Sequence, residues 1–209
     1  MRIRHRIVPL TAAVVLTGGL AATEAAPALA AHPAPGKSAT STAAGGTYLY
    51  FNKNQRHPSK SKLWLMRSIP HAKDQVIAKY RAGSGNGHRN GTNECAKMQG
   101  WLPTGDYRVL SHTKRHNGGR SGINGYAIQV QDKVCKDHRT KRTELFVHSE
   151  MNVNGTQGPR WPGHDSPYRW DGDNDYFSLG CIKLKPTDIK KLFAQAARSG
   201  WPTRLKVVD

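Results

Sequence analysis

The sequence predicts a mostly β domain with one late α-helix, and three observations lead there. Twenty-one Gly and 12 Pro punctuate the 209 residues too often for long helices. Short aromatic and β-branched runs, separated by turn residues, recur from Thr47 onward. One run of apolar residues at helical spacing lies close to the C-terminus.

In chain order, residues 48–51 (YLYF), 63–66 (LWLM) and 76–80 (VIAKY) are the first strands. Residues 107–110 follow a Pro103-Thr104-Gly105 turn. Residues 126–130 set Tyr126, Ile128 and Val130 against Ala127 and Gln129, the period of two of a half-buried strand. Residues 144–147 (ELFV), 181–184 (CIKL) and 205–208 complete the strands. The helix is marked by Ile189, Leu192, Phe193, Ala196 and Ala197 at i, i+3, i+4, i+7 and i+8. Thr187 is placed to cap its start, and Gly200 with Pro202 to end it. The chain has no internal repeat.

What precedes Thr47 has another character. Arg2, Arg4 and Arg6 lead into an apolar stretch over 7–22, and Ala28-Leu29-Ala30 supplies a small-x-small cleavage pattern. Residues 1–30 therefore read as a secretory signal peptide. Residues 31–46 (AHPAPGKSATSTAAGG) have no periodicity and no large apolar side chain, so a flexible linker is expected there. The folded domain then covers 47–209. Hydrophobic residues, at 37%, allow a lean core for one domain. No apolar run outside the N-terminus approaches the roughly 20 residues of a membrane span, so no stable membrane association is expected once the signal is cleaved. Cleavage removes three Arg and one Glu, leaving 29 basic against 13 acidic residues and a net charge of +16. That surplus attracts polyanions, although charge runs are as often simply solvated faces.

The three Cys lack the paired spacing of a structural zinc site. An exported chain with three Cys tends to pair two and leave one free. Cys95 and Cys135 lie in polar, loop-like contexts; a bridge between them closes about 40 residues and stabilises the fold by roughly 4 kcal/mol. Cys181 stands apart, directly after Gly180 at the start of a strand, where a thiol is presented on a tight turn. Position alone slightly favours a buried structural thiol.

The surrounding residues carry more. Ser178-Leu179-Gly180-Cys181-Ile182-Lys183-Leu184, preceded by Phe146-Val147-His148-Ser149, resembles the signature of the L,D-transpeptidases, the YkuD-type cell-wall enzymes. Residues 101–109 (WLPTGDYRV) are similar to the turn-and-strand segment of the same family, and the resemblance extends over about 47–209. It implies a single β-sandwich domain and an extracytoplasmic, cell-wall location. It also implies a Cys-thioester acyl-enzyme acting on peptidoglycan stem peptides, by 3→3 transpeptidation or L,D-carboxypeptidation. No cofactor or metal is implied. Anionic wall polymers are a further expected partner, and nucleic acid is not.

The roles follow residue by residue. A free thiol is only a few per cent ionised at neutral pH, so Cys181 needs an imidazole to take its proton. His148 ends an apolar strand and is the expected base, its other ring nitrogen held by the Ser149 backbone carbonyl as the resemblance implies. Gly180 and the Cys181 backbone form the expected oxyanion turn. Ser178, Lys183 and Trp170 are expected to meet substrate. The 33 positions from His148 to Cys181 exceed the family's usual interval, and His164, 17 positions before Cys181, is the alternative base.

Residues 152–177 form an insert with Trp161, Tyr168, Trp170, Tyr176 and Phe177 and an acidic run over 171–175 (DGDND). It reads as a substrate lid with Gly hinges, the acidic run attracting an amine or Ca²⁺, or as a solvated turn. Rival classes remain: a secreted basic nuclease or nucleic-acid binder, a metallohydrolase using His148, His164 and an Asp, and a non-catalytic wall-binding module.

Overall fold

The computed structural model of the chain describes residues 45–209. The expected signal peptide (1–30), and the expected linker (31–46) except its last two residues, lie outside the described residues. The first strand, β1 (Thr47–Asn52), begins where the aromatic run begins. β2 (Ser61–Arg67) and β3 (Gln75–Ala82) follow as an antiparallel meander. β4 (Gly105–Asn117) and β5 (Asn124–Val130) make a long hairpin, and β6 (Lys133–Val134) with β7 (Lys141–Arg142) a minute one. β8 (Leu145–His148), β9 (Ile182–Lys183), helix α1 (Pro186–Ser199) and β10 (Arg204–Val208) complete the chain.

Eight strands form one mostly antiparallel sheet in the order β3-β2-β1-β10-β4-β5-β8-β9. Two pairings are parallel, β1 with β10 and β8 with β9. β4 serves both halves: Gly105–Arg108 pairs with β10, and Val109–Asn117 with β5. The sheet curls at this strand, and register shifts on both sides of 111–113 accommodate the bend. The two layers of the expected sandwich are thus two halves of one sheet. The curl closes where Gly83 beyond β3 exchanges both backbone hydrogen bonds with Lys183 of β9, at 3.0 and 2.9 Å. The two open edges meet there, so no partner strand is needed at that point.

The inner face is built by parity. Leu49 and Phe51, Leu63 and Leu65, Ile128 and Val130, Leu145 and Val147, and Leu205 and Val207 all point into one cluster, every one of them almost fully buried. α1 fills the mouth of the curl with Ile189, Leu192, Phe193 and Ala196. Phe193 meets Tyr126 and Trp201 edge-on, at 4.9 and 5.1 Å.

Two local expectations are corrected, and one hairpin was not expected. Thr187 does not cap α1: Lys185 takes the N-cap position, Pro186 follows at the first helical residue, and no side chain caps. β4 runs on to Asn117, through a basic stretch that carries no apolar period because that half of the strand is mostly exposed. The β6–β7 hairpin has two residues per strand, too short for any periodicity to register. No helix among the described residues is long and apolar enough to cross a membrane.

Candidate active site

Val147 and Ile182 are in register across the parallel β8–β9 pair, and both are fully buried in the core. Alternation turns Phe146, His148 and Lys183 to the opposite face, and Cys181 joins them by extending the register one residue back. His148 is paired with Lys183, and Cys181 lies two residues before Lys183. Cys181 and His148 are therefore diagonal positions on one face, on the order of 7 Å apart between backbones.

His148 is 8% exposed, and its Nδ1 lies 3.1 Å from the Ser149 carbonyl. That carbonyl takes the Nδ1–H, which leaves Nε2 as the acceptor. Burial, then the nearby Lys183 ammonium, push the imidazole down to about 3, against the opposing pull of the Ser149 carbonyl. The imidazole is therefore neutral near pH 7. Burial pushes the Cys181 thiol up to about 11, although the Phe146 N–H and the Lys183 and Arg142 charges act the other way. The half-buried thiol donates to the Glu144 carbonyl at 3.5 Å. Glu144 holds φ 55, a left-handed conformation uncommon for a side-chain-bearing residue, at the entry to β8.

The turn before Cys181 is tied on every side. Gly180 has φ 137, open to glycine alone. The Ser178 hydroxyl donates to the Cys181 carbonyl at 2.6 Å and accepts from the Gly85 and Gly180 N–H groups at 3.2 and 3.1 Å. Ser84 Oγ donates to the Gly180 carbonyl at 3.3 Å, and Arg142 to the Leu179 carbonyl at 3.0 Å. The Ser178 hydroxyl, expected to face substrate, is thus engaged within the turn. So is the Gly180 N–H.

Lys183, also expected at the substrate, is buried in an ion pair with Glu150, both side chains at most 10% exposed. Burial raises Glu150 to about 7 despite the ammonium, and its Oε2 has no hydrogen-bond partner. The carboxylates of Glu150, Asp165 and Asp175 lie within 4.8 Å of one another, a set of hard oxygens of the kind a divalent cation takes. Only Asp175 comes from the acidic run at 171–175, and its Oδ2 already accepts the Asp171 and Gly172 N–H groups.

The insert divides in two. Its outer part, with Trp161, His164 and Asp165, is exposed and lines a cavity of about 670 Å³ together with Asp171 and Asp175. Its inner end is core: Tyr176 is 1% exposed, under the Arg81 guanidinium at 4.1 Å. Trp170 is half-buried, edge-on to Tyr176 at 4.8 Å. The expectation of a lid distinct from the core is corrected for this inner end. Among the described residues neither His148 nor His164 belongs to a cluster of metal-ligating side chains.

Cys95 and Cys135 form a disulfide, their Cα atoms 5.5 Å apart, and Cys181 is free. Sequence reasoning missed Arg142, Glu150 and Ser84. All three act across 33 to 96 positions, and no local motif singles them out.

No family model matches the chain, and no curated protein matches it significantly. Among solved structures, the fold is similar to that of Bdellovibrio bacteriovorus Bd1075, at a TM-score of 0.50 and 16% identity. The match covers 80% of this chain and 49% of that one, so this chain spans about half the length of the other, and at such identity the likeness is one of fold alone.

Proposed function

We propose that the protein is an exported cysteine acyltransferase of the L,D-transpeptidase type, acting on peptidoglycan stem peptides. The observation that carries this reading is a free thiol on a positive-φ glycine turn, diagonal to a neutral imidazole whose Nδ1 is held by the next residue's carbonyl. The resemblance of the S-x-G-C block supplies the substrate class. The Nε2 of His148 takes the Sγ proton, and the thiolate attacks the carbonyl of the third stem residue. The oxyanion is met by the Cys181 N–H, the donor left once Ser178 has taken that of Gly180. Collapse breaks the peptide bond, the imidazolium returns its proton to the departing D-Ala amine, and a thioester remains. An acceptor amine or water then attacks the thioester, His148 takes its proton, and the thiol is regenerated.

Intact mass spectrometry with a carbapenem tests this. One acyl adduct is expected on the wild type and none on Cys181→Ala, together with D-Ala release from tetrapeptide muropeptides. A native protein that gains no adduct and releases no D-Ala contradicts the reading.

A further inference from the structure

Arg142 is 4% exposed, yet its partners are four backbone carbonyls. Nη1 donates to the Glu94 and Trp101 carbonyls, the latter at 3.2 Å. Nη2 donates to the Gly100 carbonyl at 2.9 Å and the Leu179 carbonyl at 3.0 Å. Burying a guanidinium without a carboxylate in contact is expensive, and a satisfied fork on four acceptors offsets it. Three of the four belong to the 94–101 loop. The fourth is one peptide before Gly180.

We propose that Arg142 is a positioning residue for the nucleophile turn: its guanidinium orients the backbone amide that meets the oxyanion. The proposal rests on the acyl-transfer reading above and extends it to a residue outside the S-x-G-C block. The peptide unit joining Leu179 to Gly180 is planar, so its two ends move together. Arg142 holds its carbonyl and Ser178 Oγ holds its N–H, which fixes the plane. The next plane carries the Gly180 carbonyl, held by Ser84 Oγ, and on its other edge the Cys181 N–H. Pinning the first plane and the carbonyl of the second aims that N–H.

Gly180 supports the same assignment. A Cβ built there would lie 2.1 Å from Arg142 Nη2, so the guanidinium occupies the space any other side chain would need. The glycine serves the arginine as well as its own φ. The Arg142 charge, after that of Lys183, also favours the Cys181 thiolate.

The test separates acylation, which needs an oxyanion donor, from alkylation of the same thiol, which does not. Meropenem acylation and iodoacetamide alkylation of Cys181 are followed by intact mass. Arg142→Lys keeps the charge but places one nitrogen where two were required. It should slow acylation about 10- to 100-fold, the penalty of a displaced catalytic group, and leave alkylation within about twofold. Arg142→Ala should regain acylation in low-millimolar guanidinium chloride and not in methylammonium chloride. Gly180→Ala, which leaves Arg142 in the chain should its variants not fold, should show the same selective loss. Combining it with Arg142→Ala should add little, because both act on one turn. Acylation falling in step with alkylation, an unaffected acylation rate, or no discrimination between the two cations overturns the positioning role. A wild-type protein that is alkylated but inert to meropenem overturns the acyl-transfer reading itself, and this role with it.

Discussion

At rest the thiol and imidazole of the site are both neutral, because the same burial raises the Cys181 thiol to about 11 and lowers His148 to about 3. The pair differs in this from a preformed thiolate–imidazolium couple, and the difference is measurable. At pH 7 the thiolate fraction is on the order of 10⁻⁴, and it grows about tenfold per pH unit until the pH nears the thiol's value. Iodoacetamide alkylation of Cys181 should therefore climb steadily from pH 7 to 10, whereas a plateau reached by pH 8 would reveal an ion pair. The two histidines should also separate. His148→Ala should abolish acylation, while His164→Ala, an exposed side chain of the insert, should change its rate by less than about threefold. The reverse ranking in an acylation assay assigns the base to His164.

At the scale of elements, strands facing the core were readable and the rest was not. β5 and β8 announced themselves because alternation and short apolar runs mirror burial on one face. The outer half of β4 buries little, so its residues are free to be basic and leave no pattern. The insert is mixed for the same reason. Its aromatics signalled apolar contact without saying which of them face inward. Tyr176 does, so Tyr176→Ala should lower stability by about 3–5 kcal/mol, read as a fall in the denaturant midpoint. Trp161, 38% exposed against Tyr168, should cost less than about 0.5 kcal/mol on truncation, and any effect of Trp161→Ala belongs in turnover of muropeptides. Equal losses of stability in the two variants would contradict this division.

Across the whole molecule, the Cys95–Cys135 bridge ties the 84–104 segment to the β6–β7 hairpin. It closes a loop of 40 positions, and reducing it should cost about 4 kcal/mol of stability, seen as a lower melting temperature in reductant. Native protein should present one reactive thiol, and reduced, unfolded protein three. Glu94 and Gly100, in the same segment, hold Arg142, so the reduced protein should also acylate more slowly at a temperature where it is still folded. By itself the sequence determined the mostly β class, the late helix, the odd free cysteine and the His-Ser and S-x-G-C blocks. These are local in kind: a periodicity, a composition, or residues within a few positions. Only the tertiary structure decided that β4 bends one sheet into two layers, that parity sets Cys181 and His148 on one face, and that Lys183 and Ser178 turn inward to Glu150 and the Gly180–Cys181 turn. It alone brought Arg142 to Gly180. A register or a buried polar network depends on which distant residues become neighbours, and the chemistry of a side chain does not encode its partner until the strands have paired.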